Sequence, residues 1–238
     1  MAEFVSFSDP SAVYKRPMAA LAGLDAMARD SVADLDAGTR VYSELPICRT
    51  QAERDGWITY EAIMNRAFAR RPVALMRQAW QAHRVVHDNV WQISPVYEEP
   101  EALVRALEPV FEALPGLRAL SIGDPQQMQE RLAEELAADS VASGRARDML
   151  VAAREVLLNA QRFGNRVRAL RVGIVADQWV CEVTDGGSGL GDPLAGYVPP
   201  KPAATEGAGL WIARQLTSRL ELRSEPTGLT VRLRVYTS

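Results

Sequence analysis

The chain has 238 residues, 47% of them hydrophobic and 24% charged, with a formal net charge of −3. That length allows one large domain or two small ones, each with a core of its own, and the slight acidity gives no electrostatic footprint for a nucleic acid or an anionic membrane. No run of about 18 apolar residues occurs and the N-terminus lacks a signal-peptide pattern, so a soluble, cytoplasmic protein is expected.

Residues 18 to 29, "MAALAGLDAMAR", read as a helix. Val41, Tyr42 and Leu45 then suggest a short strand. In "AERDGWITYEAIMNRAFAR" the residues Trp57, Tyr60, Ile63, Met64, Ala67 and Phe68 recur at helical spacing, one wide apolar face that needs a partner layer. "PVALMRQAW", opened by Pro72, is a strand candidate. "EEPEALVRALEPVFEALPG" reads as one helix, with Pro100 in its first turn and Pro115-Gly116 at its end, and serves as a connector.

From residue 117 the pattern changes to a short strand "LRALSIG", an Asp124-Pro125 helix start and an amphipathic helix broken at Ser143-Gly144. "RARDMLVAAREVLLNAQRFG" places Met149, Leu150, Ala153, Val156, Leu157, Ala160 and Phe163 on one helical stripe, with Gly164 as its stop. "RALRVGIVADQWVCEVTD" reads as two strands about an Asp177-Gln178 turn. "GLWIARQLTSRL" reads as a helix, and the chain closes in a hairpin about Pro226-Thr227-Gly228. Domains are expected at 1–97 and 117–238, with 98–116 between them, and the fold class is α+β, helices on one face of a mixed sheet. The two cysteines, Cys48 and Cys181, lie far apart and are expected to be reduced, Cys181 as a small core residue.

Three features carry chemistry. Glu155 and Asn159 are four apart on the edge of a buried helical face, where the carboxamide can offer oxygen to a hard cation and the carboxylate can orient or deprotonate a nucleophile. An exposed Glu-Asn pair would have the same spacing. Asp185 closes a strand before Gly186, Gly187 and Gly189, so a flat ligand could reach the backbone while the carboxylate accepts a hydrogen bond; a simple glycine turn is the bland alternative. Gly207 and Gly209 precede a helix whose N-terminal amides could meet phosphate oxygens, although a loop feeding a helix would look alike.

Together and in this order the three resemble the ATP-binding domain of the GHKL superfamily, which includes gyrase, histidine kinases and MutL. "EVLLNA" resembles the N box, "DGGSGL" and "GAGL" the two glycine boxes, and Thr230 in "GLTVRL" the threonine on a late strand near the adenine. The resemblance implies a Bergerat-type sandwich that binds ATP and Mg. Asn159 would hold the metal, Glu155 would act as or position the base, and Asp185 would bind the adenine amino group. Gly187 and Gly189 would shape the adenine pocket, Gly207 and Gly209 would cradle the phosphates, Leu210 would be a further cofactor-binding residue, and "GDPLAGYVPPKPAATE" would be the lid.

Within the superfamily the chain resembles anti-sigma factor serine kinases of the actinobacterial type, notably through "DPLAGYVPPKPAATEGAGLWIARQL". Such proteins phosphorylate a serine of a STAS-type anti-anti-sigma factor and alternatively hold a sigma factor. Homodimerisation is an expectation from the same source, and no direct contact with nucleic acid or membrane is implied. No phosphoacceptor histidine is evident upstream: His83 and His87, in "HRVVH", have no obvious third metal ligand and read as surface or structural residues. "SELPI", Tyr60-Glu61 and Asn65 to Phe68 resemble the later part of a MEDS sensory domain, and the N-terminal region is expected to be a smaller α/β domain of that kind. Its first half is missing, and "MRQAWQ" stands where the family has a Cys-Pro-Tyr-Asp segment. A further departure is Phe163, a histidine in the family, expected here to pack in the core. A nucleotide-binding module without turnover that sequesters a regulator, and a histidine-kinase-like ATPase domain, are the alternatives.

Overall fold

The computed structural model describes residues 51–68, 100–107, 111–198, 200 and 207–238. The helix expected at 18–29, the strands expected near Val41 and after Pro72, Cys48, "SELPI", His83 and His87 lie outside them. The chain divides into two units, Met1–Leu107 and Glu108–Ser238. Among the described residues no helix is long and apolar enough to cross a membrane.

In the first unit, α1 (Gln51–Phe68) packs on α2 (Pro100–Leu107). Trp57, Tyr60 and Ile63 are buried as their spacing requires, and the Trp57 and Tyr60 rings meet edge to face at 5.2 Å. One helix from Pro100 to residue 114 was expected; the described helix is Pro100–Leu107, and residues 111–114 are not helical.

The second unit is an α+β sandwich. α3 (Pro125–Ala138) starts where Asp124 accepts a hydrogen bond from the Gln127 amide at 2.9 Å, with Pro125 in its first turn. Met128, Leu132 and Leu136 form its buried face. The chain then turns on Ser140, in the left-handed region at φ 55°, and Ser143 and Gly144 start α4 (Ser143–Arg162) instead of separating the helices. α4 buries Met149, Ala152, Ala153, Val156, Leu157 and Ala160. Phe163 is 67% exposed, contrary to the expected core position. The helix ends one residue earlier and Phe163, its C-cap, takes φ −120°, so the helical phase no longer directs residue 163 inward.

The strands are β1 (Arg118–Ala119), β2 (Val167–Val175), β3 (Gln178–Asp185), β4 (Arg219–Glu225) and β5 (Gly228–Tyr236). Their order is β1-β2-β3-β5-β4, antiparallel at every ladder, where a mixed sheet was expected. α5 (Gly209–Leu216) does connect two strands of like direction, β3 and β4, but β5 inserts between them and removes the parallel contact.

Period-two alternation divides the sheet into two faces. Trp179, Cys181 and Val183 of β3 and Val231, Leu233 and Val235 of β5 form one core with the helices. The other face carries Glu182 opposite Arg232, and Thr184 opposite Thr230. Residues 111–117 run across this second face: Arg232 stacks on the Phe111 ring at 3.9 Å and donates to the Glu112 carbonyl at 2.7 Å, and Leu117 lies on Gly173.

Candidate functional site

Asp185 is the last residue of β3, and Gly228 and Leu229 begin the neighbouring strand beside it. Its Oδ1 accepts from the Gly187 amide at 3.0 Å and the Leu229 amide at 2.9 Å. Oδ2 takes no hydrogen bond among the described residues and faces Gly164, where any Cβ would collide with the carboxylate. The carboxylate is thus fixed by two backbone donors, with one oxygen left for a third.

Gly164 ends the α4 turn, and the chain doubles back so that the Gly186 amide donates to its carbonyl at 2.7 Å. Gly187 packs on the same corner: a Cβ there would lie 3.0 Å from the Gly164 Cα and from the Phe163 carbonyl. Gly189, at φ +78°, leans on the end of β4, where the Ser224 hydroxyl accepts from the Leu190 amide at 2.7 Å.

The second corner lies on the same helix one turn earlier. The Phe163 amide donates to the Asn159 carbonyl, and Asn159 and Glu155 share the α4 stripe, both half-buried. α5 packs against α4, and its first residue, Gly209, faces this pair. A Cβ on Gly209 would sit 2.8 Å from Asn159 Nδ2 and 3.2 Å from Glu155 Oε2. Arg154 balances the glutamate, its Nη1 3.6 Å from Glu155 Oε1.

Glu155, Asn159 and Gly209 therefore meet at one corner and Asp185, Gly187 and Gly189 at another, joined by the last turn of α4. Gly207 is exposed, with φ +86°. Leu210 is buried in the helical core, its backbone against Gly196. Thr230 stands apart: its hydroxyl lies 3.1 Å from that of Thr184, on the sheet face opposite to the helices, while Asp185 follows Val183 on the helix face. Gly164, Ser224 and the Leu229 amide belong to the corner but were not singled out from the sequence. Gly164 carried a signal, a glycine straight after a helix, though one that reads only as a helix stop.

The family of histidine kinase-like ATPase domains matches residues 123–235. No curated protein matches the chain. Among solved structures, the histidine kinase domain of a blue-light activated histidine kinase from Erythrobacter litoralis is 17% identical, with a TM-score of 0.31, over 76% of this chain and 95% of that one. The histidine kinase domain of the E. coli osmosensor EnvZ is 19% identical, with a TM-score of 0.31, over 55% and 93%. Histidine kinase AdeS of Acinetobacter baumannii is 8% identical, with a TM-score of 0.32, over 93% and 95%. At such TM-scores none of these bears on what this chain does.

Residues 123–235, just under half of the chain, are similar to histidine kinase-like ATPase domains, and their α+β sandwich agrees with that match. Domains of that class bind ATP, usually with magnesium. The residues present fit that group. Gly209 leaves open the space beside Asn159 and Glu155 that a side chain would fill, and both residues carry oxygen donors suited to a hard cation. No cluster of three His, Cys, Asp or Glu side chains that could hold a metal occurs among the described residues.

Proposed function

We propose that the protein is an ATP-dependent protein serine kinase and anti-sigma factor, acting in the cytoplasm on a STAS-type anti-anti-sigma factor and alternatively holding a sigma factor. The observation that carries the reading is the approach of Gly209 to the Glu155 and Asn159 side chains, which brings a helix N-terminus, a carboxylate and a carboxamide to one corner. The motif string "DPLAGYVPPKPAATEGAGLWIARQL" supports the choice of partner.

Asp185 Oδ2 accepts the adenine amino group, held in place by the amides on Oδ1. Asn159 Oδ1 supplies a ligand to magnesium, which when bound neutralises charge on the phosphates. The first-turn amides of α5 face phosphate oxygens, and no Cβ at Gly209 obstructs them. Glu155 accepts or orients the serine hydroxyl proton of the protein substrate, its usual work in phosphoryl transfer.

Labelled phosphate from ATP should pass to a serine of the cognate STAS protein and fail to do so with Glu155→Ala. Asp185→Asn should bind ATP at least about tenfold more weakly with the fold intact. Transfer unaffected by Glu155→Ala would sink the kinase assignment and leave a nucleotide-dependent binding module. Unchanged ATP affinity in Asp185→Asn would return that corner to a structural glycine turn.

A further inference from the structure

The loop after the first glycine box does not stand clear of the domain. Asp192 Oδ1 accepts from the Leu194 amide at 2.9 Å, and the Tyr197 amide donates to the Leu194 carbonyl at 2.9 Å, a compact turn with Leu194 buried beneath it. Its last two residues lie along α5. Gly196, at φ +76°, sits so close to Leu210 that a Cβ would collide with its side chain and backbone. One helical turn further on, the Tyr197 ring lies against the Arg214 guanidinium, 3.5 Å from centroid to Cζ. Both side chains are buried, 9% and 7% exposed. Arg214 Nη1 also donates to the Leu220 carbonyl at 3.1 Å, so one guanidinium ties the loop, α5 and the start of β4 together.

α5 needs such a tie. It has eight residues, and its N-cap Ala208 offers no side-chain hydrogen bond. Helices this short are marginal alone, and a cation over a desolvated ring is among the stronger non-covalent contacts available. Asp185 is held instead by the Gly187 and Leu229 amides, which share no atom with the Tyr197–Arg214 contact.

We infer that Tyr197 and Arg214 are positioning residues that fix the first turn of α5, and with it Gly209 beside Glu155 and Asn159, so that they govern the phosphate end of the nucleotide site and not the adenine end. This rests on the ATP-binding reading above. The loop is thus tied to α5 through residue 197.

The test compares Tyr197→Leu, Tyr197→Phe and Arg214→Met with the unaltered full chain, measuring affinity for ATP and for adenosine, and amide hydrogen exchange without ligand. Tyr197→Leu and Arg214→Met should weaken ATP roughly tenfold and leave adenosine within about twofold. They should also speed exchange at the Tyr197 and Ile212 amides, whereas Tyr197→Phe, which keeps the ring, should match the unaltered protein in all three. Unchanged ATP affinity in Tyr197→Leu, or an equal loss for adenosine, overturns the inference while the ATP reading stands. Should the unaltered protein bind neither ligand, the ATP reading fails, and with it the assignment to the phosphate end. Exchange at Ile212 still decides the anchoring in that case, because no change in Tyr197→Leu would overturn it.

Discussion

Strand β5 sends Val231, Leu233 and Val235 toward the helices and Arg232 and Arg234 to the opposite side, yet Arg232 is only 2% exposed and as buried as its apolar neighbours. On the helix side burial needs nothing but shape. On the other side, Arg232 reaches Glu182 at 2.6 Å and Glu221 at 3.3 Å, Arg171 reaches Glu182 at 3.5 Å, and Arg234 reaches Glu221 at 3.1 Å. Apolar packing tolerates volume-conserving exchange, whereas buried charges require every partner at once. The comparison teaches that the two faces respond differently to losing one residue.

The largest effect should come from Arg232→Met, which strands Glu182 without its nearest cation and should cost about 3–5 kcal/mol of unfolding free energy. Adding Glu182→Leu should restore most of that loss in a denaturant titration; a double variant as unstable as the single one would show that the pair is not the source. On the apolar face, Leu157→Ala should cost about 3 kcal/mol through lost contacts and a cavity, with no second substitution on the sheet able to rescue it. At neutral pH the smallest effect concerns Cys181, whose thiol is fully buried and pushed up to about 12, first by desolvation and then by the nearby Glu182. The unfolded thiol ionises near pH 9.0, so between there and about 12 the unfolded chain binds fewer protons and stability falls as pH rises, by up to about 1.4 kcal/mol per unit. Cys181→Ala should show a correspondingly shallower decline over that range, and identical slopes would break the assignment.

The sequence announced the apolar face and concealed the ionic one. The Arg residues of "LTVRLRVY" and the alternating Glu and Arg of "LELRSE" carry no mark of burial, because periodicity reports which residues share a side and not what covers it. The cover is Phe111 to Leu117, taken from its pattern for the tail of a helix. The α4 stripe and both hairpins were legible because 3.6- and 2-residue periods run through them. Asp185 was legible as a strand end beside glycines, but its fit under Gly164 depends on two segments 21 positions apart in the chain. Thr230 resembled the family's position by motif, and which face it takes is set by its register opposite Thr184, information that a motif does not contain.

The insertion of β5 between β3 and β4 also bears on how the domain is made. β5 is the last of the described strands in chain order and hydrogen-bonds to both neighbours, so until it arrives β3 has an open edge and β4 has no ladder partner among the described residues. On a ribosome the α4–β2–β3 half can assemble first, but the sheet closes only when residues 228–236 emerge, leaving Val183 and Leu222 exposed to stray pairing meanwhile. The domain therefore gains its cooperativity late, in one step of long-range pairing, and that step should set its folding rate.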